Sequence, residues 1–183
     1  LLGSITIKAE RGKFFNRSIL LNDSGNIAAR YSKIHLFDVD LEHNSTYRES
    51  HQVIPGEKAT LAETPWGNIG MSICYDIRFP QLYRNLAKAG AEILSIPAAF
   101  TKKTGQAHWH ILNRARAIEC GAFVISPCMP GKHGLGKTFG HSLIINPWGE
   151  VLADSGEEEG FIIAEIRMSE VARARKMIPA LTH

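Results

Sequence analysis

Between residues 69 and 127 the chain alternates apolar runs with helical patterns: strands over 69–74, 92–97 and 122–127, helices over 81–89 and 107–120. Adjacent parallel strands need a crossover, usually a helix, and such crossovers are right-handed, so this alternation reads as parallel pairing. These consecutive βαβ units confine the chain to an α/β fold. Pro80 near the start of the first helix, Gly90 past its end and Gly121 past the second are the expected punctuation. Leu82, Leu86 and Ala89 line one helix, and Trp109, Leu112, Ala115 and Ile118 the other. Both stripes fit helices that cover a largely buried sheet.

Ahead of this region, strands over 4–10, 14–22 and 27–32 are separated by Arg11-Gly12-Lys13 and Asp23-Ser24-Gly25-Asn26, which are turn formers, so they read as an antiparallel meander. The polar stretch 33–63 is too long for a plain connection and reads as a functional loop. After residue 127, strands over 141–145, 151–154 and 160–166 are joined through Asn146-Pro147-Trp148-Gly149 and an acidic turn, before an amphipathic helix over 169–177. Trp66 and Trp148 lie in Pro-Trp-Gly turns and read as turn residues. Gly131, Gly134 and Gly136, with Lys132, His133 and Lys137, lack the Gly-Lys-Ser/Thr motif of a phosphate loop and read as a mobile surface loop. With 183 residues and no internal repeat, the chain fits a single domain over 1–183.

The charge balance, 21 basic against 18 acidic residues scattered without a basic cluster, points away from nucleic acid and anionic membranes and towards a small-molecule partner. Three widely spaced cysteines, Cys74, Cys120 and Cys128, argue against a disulfide framework and for a reducing compartment, with cytoplasm as the expected location. No apolar stretch reaches membrane-spanning length, and the start, Leu1-Leu2-Gly3-Ser4, has neither an initiator Met nor the features of a signal peptide, so a cut N-terminus is expected.

Cys74 stands where the strand over 69–74 gives way to Tyr75-Asp76-Ile77-Arg78-Phe79-Pro80. A strand-to-helix elbow exposes a nucleophile, and the N–H groups opening the next helix lower a thiolate's pKa and can bind a developing oxyanion. Hydrolysis of an unactivated C–N bond by a thiol also needs a group to move protons and a positive charge or N–H donors for the oxyanion. Lys33, at the end of the third meander strand, is the candidate charge, and Glu49, in Tyr47-Arg48-Glu49-Ser50, could orient it. By composition alone, Lys33 reads as a solvated surface lysine, Glu49 as a partner of Arg48, and Cys74 as a buried small hydrophobe; the elbow reverses that reading for Cys74. His35, Asp38, Asp40, Glu42 and His43 are close enough in sequence for a metal, but without HExxH or CxxC spacing they read as turn formers and solvated charges, and no metal is expected. His108 and His110 straddle Trp109 on different helix faces, so they cannot form an i, i+4 ligand pair; one could line a pocket. Phe100, Thr101 and the stretch 104–109 follow the end of a strand, where α/β ligands usually sit.

Several long motifs in order, Tyr31-Ser32-Lys33-Ile34-His35-Leu36-Phe37-Asp38-Val39-Asp40, Tyr47-Arg48-Glu49-Ser50, Ile73-Cys74-Tyr75-Asp76-Ile77-Arg78-Phe79-Pro80, Arg114-Ala115-Arg116-Ala117-Ile118-Glu119 and Asn146-Pro147-Trp148-Gly149, resemble the nitrilase superfamily of carbon–nitrogen hydrolases over nearly the whole chain. Within it the lysine motif is most similar to the branch of ω-amidase and deaminated-glutathione amidase. The resemblance implies an αββα sandwich and a Glu-Lys-Glu-Cys set that works without metal or organic cofactor. Carried over, Cys74 is the nucleophile, Lys33 the lysine and Glu49 the second glutamate, with the Tyr75 N–H in the oxyanion site; Phe100, Thr101 and His108 are pocket candidates by their place after a strand's end. The first glutamate, the general base, belongs to a strand-to-helix segment ahead of the meander. The chain as given lacks that segment, and Glu10, in the first meander strand near a turn, does not fit the role.

The leading expectation is an amidase that releases ammonia from a small carboxylate-bearing primary amide through a thioester, as a homo-oligomer. A nitrilase or N-carbamoyl amidohydrolase of the same superfamily, a metal-dependent hydrolase built on 35–43, and a non-catalytic fragment or binding partner are the alternatives. Arg78 and Arg116 could anchor a substrate carboxylate, or could pair at helix ends with Asp76 or Glu119.

Overall fold

The computed structural model describes residues 2–41, 45–133 and 136–183. β1 (Leu2–Lys8), β2 (Phe14–Leu21) and β3 (Ile27–Ser32) form the expected antiparallel meander in one three-stranded sheet. The stretch read as a long loop has structure of its own: a hairpin of β4 (Asp38–Leu41) and β5 (Ser45–Arg48), a 3₁₀ turn (Glu49–His51) and β6 (Thr60–Ala62). Its polar residues conceal strands because one face of the hairpin stays wet.

β7 (Ile69–Met71), α1 (Pro80–Lys88), β8 (Ile93–Ser95), the single turn α2 (Lys102–Thr104), a π-type turn (Gly105–Trp109), α3 (His110–Cys120) and β9 (Phe123–Ser126) realise the βαβ units, and β7, β8 and β9 pair in parallel. Gly121 closes α3 in the left-handed conformation at φ 52°, where a residue without Cβ is least strained. β10 (Pro130–His133) and β11 (Gly136–Phe139) form a hairpin where a surface loop was expected; Gly134 lies outside the described residues, as does the side chain of His133. β12 (Leu143–Ile145) and β13 (Val151–Asp154) complete a six-stranded sheet in the order β13-β12-β9-β8-β7-β6, and α4 (Ser169–Met177) follows. The strand expected over 160–166 is not formed. Its alternation is real, since residues 161–166 run from exposed to half-buried in turn, but a strand also needs a ladder partner, which one segment's pattern does not encode.

Each strand of the parallel core serves two faces. Leu94, Ile96 and Val124 pack under α1 and α3 with Leu86, Trp109 and Ala117. On the opposite face Met71 and Ile73 meet Leu20 and Tyr31 of the meander, while Ile93 and Phe123 meet Val171 of α4. The result is an α/β sandwich with helices outside the large sheet and the meander against its other side.

The meander's last strand is packed closely at its end. A Cβ on Gly56 would lie 2.1 Å from the Ser32 carbonyl oxygen and 2.8 Å from its carbon, so the backbone would have to move. Gly56→Ala should cost about 1–3 kcal/mol in urea unfolding, whereas Gly160→Ala, with nothing within 4 Å, should stay within about 0.5 kcal/mol of the parent.

Candidate active site

Cys74 begins a 3₁₀ turn (Cys74–Arg78) directly after the extended Ile73, and it is one of the few non-glycine residues with positive φ, at 48°. A left-handed residue with a Cβ costs on the order of 1–3 kcal/mol and persists only when its surroundings impose it. Asp76 is the group that imposes it. Its fully buried carboxylate accepts from the Tyr31 hydroxyl (2.7 Å), the His35 N–H (3.0 Å), His35 Nδ1 (2.7 Å) and the Ile73 N–H (2.8 Å). Burial, then the neighbouring Asp76 charge, push the Tyr31 hydroxyl far above its ordinary range, so it stays a donor. His35 also stacks on Phe79 at 3.6 Å. One carboxylate thus ties the elbow to the end of the meander. The Cys74 N–H is held by the Pro97 carbonyl at 3.0 Å, which seats the elbow on the neighbouring parallel strand's exit.

Lys33 lies just past β3 and is buried, 3% exposed. Its N–H donates to Asn16 O (2.9 Å) and its carbonyl accepts from the Gly56 N–H (2.8 Å), so the backbone is pinned on both sides. The ammonium meets Glu49 Oε2 at 2.5 Å. Glu49 is held in turn by the Phe37 N–H on Oε2 (2.7 Å) and by Asn16 Nδ2 on Oε1 (3.1 Å). Its partner is therefore Lys33 and not Arg48, whose guanidinium grips both oxygens of Asp40 at 2.7 and 2.8 Å.

Cys74, Lys33 and Glu49 open on one cavity of about 520 Å³, at the carboxyl ends of the parallel strands, together with Tyr75, Phe100 and Thr101. His108 is different: it does not line this cavity but stands exposed on the π-type turn with Nδ1 3.3 Å from Arg78. The π-type turn rotates that side chain outward, which strand-end position alone could not reveal. Arg78 lies over the Phe100 ring at 5.4 Å and Arg116 pairs with Glu119 at 2.7 Å while donating to the Ile77 carbonyl. Residues of the 35–43 cluster diverge: His35 turns to Asp76, Asp38 accepts from the Ser50 N–H, and Asp40 takes Arg48, while Glu42 and His43 lie outside the described residues.

The electrostatics of the thiol differ from the expectation of a pKa lowered by a helix start. Burial pushes the Cys74 thiol above its ordinary range, while the Lys33 charge and the Ala99 N–H pull it back. Burial pushes Cys120 up to about 12, against the pull of Arg116, Arg175 and Arg84, and pushes Cys128, which has no cation acting on it, up to about 11. Asn16, Tyr31, Asp76 and Ala99 are the supporting residues that sequence reasoning missed. Tyr31 and Asp76 left a trace, one opening the lysine motif and the other two residues after the cysteine, but neither position says that the two side chains meet. Asp76→Asn would turn an amide N–H₂ towards a donor that now has an acceptor, so it should cost about 1–3 kcal/mol in urea unfolding and slow alkylation of Cys74 by iodoacetamide.

Comparison with known proteins places the chain in a family. The model of the carbon-nitrogen hydrolase family matches residues 1–176. Deaminated glutathione amidase of Synechocystis sp. (strain PCC 6803 / GT-S) is 46% identical over 180 residues, covering 97% of this chain and 66% of that protein. Omega-amidase NIT2 of Homo sapiens is 38% identical over 181 residues, covering 98% and 65%. The crystal structure of the C. elegans NitFhit protein superposes with a TM-score of 0.92 at 37% identity, covering 99% of this chain and 45% of that one. The chain spans 66% of the length of the cyanobacterial relative and 53% of its Bos taurus counterpart. With the family's model matched over residues 1–176 of its 183, this chain belongs to the carbon–nitrogen hydrolase family.

Proposed function

We propose that this chain is the core of a cysteine-dependent amidase that releases ammonia from a small, carboxylate-bearing primary amide. The observation that carries this reading is a buried ammonium, Lys33, locked to Glu49 and facing the same cavity as the sulfur of Cys74. The Cys74 thiolate attacks the amide carbonyl carbon. The oxygen that becomes negative is stabilised by Lys33 and by the Tyr75 N–H, donors that act best where water is excluded. The C–N bond then breaks, ammonia leaves, and water cleaves the thioester to return the thiol and a carboxylate product.

Glu49 acts through Lys33. Both of its oxygens already accept hydrogen bonds from Lys33, Phe37 and Asn16, so it holds the ammonium in place rather than carrying protons. The resemblance assigns proton transfer to a glutamate ahead of the meander. Glu10 is exposed on a 3₁₀ turn and does not line the cavity, so it is not offered for that role. The relatives named above are amidases, which supports an amide over a nitrile, and the polar wall of Asn16, Thr46, Gln52, Thr101 and Thr104 suits a substrate with a hydrogen-bonding tail.

An ammonia-release screen of the intact protein over ω-amides of keto acids, deaminated glutathione, N-carbamoyl amino acids and aliphatic amides tests the reading. Turnover should appear with carboxylate-bearing primary amides and fall to background in Cys74→Ala, while Lys33→Ala should lower kcat/KM by about 10²–10³-fold. Activity that persists in Cys74→Ala would refute it. The sign of the pH effect follows from the site: a thiol raised by burial forms thiolate late, so iodoacetamide alkylation of Cys74 should rise with pH through a midpoint above that of an ordinary thiol. Lys33→Ala removes the cation that pulls this midpoint down and should move it higher still.

A further inference from the structure

We propose that His110, His141 and Asp154 form a binding site for one divalent transition-metal ion of zinc's chemistry. The three residues come from separate elements: His110 opens α3, His141 lies between β11 and β12, and Asp154 ends β13. None of them lines the cavity beside Cys74. One nitrogen of each imidazole and one carboxylate oxygen lie within 4.8 Å of one another. His110 Nε2 is 2.9 Å from Asp154 Oδ2, and His141 Nδ1 is 2.9 Å from Asp154 Oδ1. A tetrahedral ion at about 2.0–2.2 Å from each ligand spaces those ligands by roughly 3.3–3.5 Å, so small side-chain rotations suffice. Two imidazoles and a carboxylate are the donor set of zinc and its neighbours rather than of magnesium or calcium, which take oxygen.

The ligands are held in advance by their surroundings. Asp154 Oδ1 accepts from the Gly156 N–H at 2.9 Å, and although partial burial works the other way, the hydrogen bonds from His110, Gly156 and His141 hold its carboxyl below the usual range. The His141 backbone is clamped on both sides, its carbonyl by Trp109 Nε1 (2.7 Å) and its N–H by Gly156 O (2.6 Å), in a left-handed conformation at φ 57° that is unusual for a residue with a Cβ. Phe139 stacks on the His141 ring at 4.3 Å and meets the His110 ring edge-on at 6.0 Å. Outer contacts of this kind orient metal-ligating side chains. His110 and Asp154 remain about a third exposed, so an ion can enter from solvent and keep water at its fourth position. A metal here would strap β13 and the β11–β12 connection to the first residue of α3, which follows the π-type turn and, before it, α2 with its N-cap Thr101 and its last residue Thr104 in the cavity wall. Its role is structural bracing, and the amidase steps are not routed through it.

The same geometry could be only an aspartate accepting two imidazole N–H bonds, and experiment separates the two. Zinc chloride alone is titrated against a chromophoric indicator into metal-free Cys74→Ala protein, which removes the one thiol open to the cavity. Binding of one zinc per chain is expected, weakened at least about 10-fold by His110→Gln, His141→Gln or Asp154→Asn and unchanged by His108→Ala. In protein without substitutions at the three ligands, zinc should protect His110 and His141, but not His108, from diethyl pyrocarbonate, mapped by mass spectrometry. This second readout does not depend on any ligand variant folding. Absence of stoichiometric zinc binding, binding that survives the double His110→Gln/His141→Gln change, or unaltered modification of both histidines would overturn the site.

Discussion

A lysine that is 3% exposed is the constraint from which the site is built. Removing an ammonium from water costs several kcal/mol unless an opposite charge and hydrogen bonds compensate, so Lys33 demands Glu49, and Glu49 demands donors for its remaining lone pairs. The Phe37 N–H and Asn16 Nδ2 supply them. That chain of requirements draws together β2, the end of β3, the start of the β4–β5 hairpin and the 3₁₀ turn after it. The payoff of holding a cation in this costly position is an ammonium at fixed orientation beside a sulfur whose own burial resists ionisation.

Asp76 does for the nucleophile what Glu49 does for the lysine. Its four donors come from the meander's Tyr31, the post-meander His35 and the elbow's own Ile73. Cys74 and Lys33 are thus positioned by two separate carboxylates, both of which contact the stretch 31–37. The meander, which contributes few residues to the cavity, is therefore the part that sets the spacing between nucleophile and cation.

The fold was legible where local rules and packing agree. β3, β13 and α4 fall on the residues that the pattern indicated, because turn formers bound them and their alternation or stripe faces a real partner surface. The pattern was misleading over 160–166, where alternation persists without a ladder, and over 130–139, where glycines that signalled a loop instead permit a hairpin with Gly131 and Gly136 at positive φ. Of the site, Cys74 could be singled out by its place at a strand's end, and Lys33 and Glu49 through motifs resembling a family. His108 could not be placed, because a π-type turn shifts the angular register by about a residue relative to an α-helix.

By itself the sequence pointed to the parallel core, since helices between short apolar runs are the pattern of βαβ crossovers, and it determined which thiol stands on an elbow. It also carried the family's motifs in order. Only the tertiary structure decided that Glu49 serves Lys33 rather than Arg48, that Asp76 holds the elbow, and that His110 faces His141 and Asp154 rather than its near neighbour His108. Those pairings join residues far apart in the chain, and periodicity reports only which face of its own element a residue occupies, never what packs across from it.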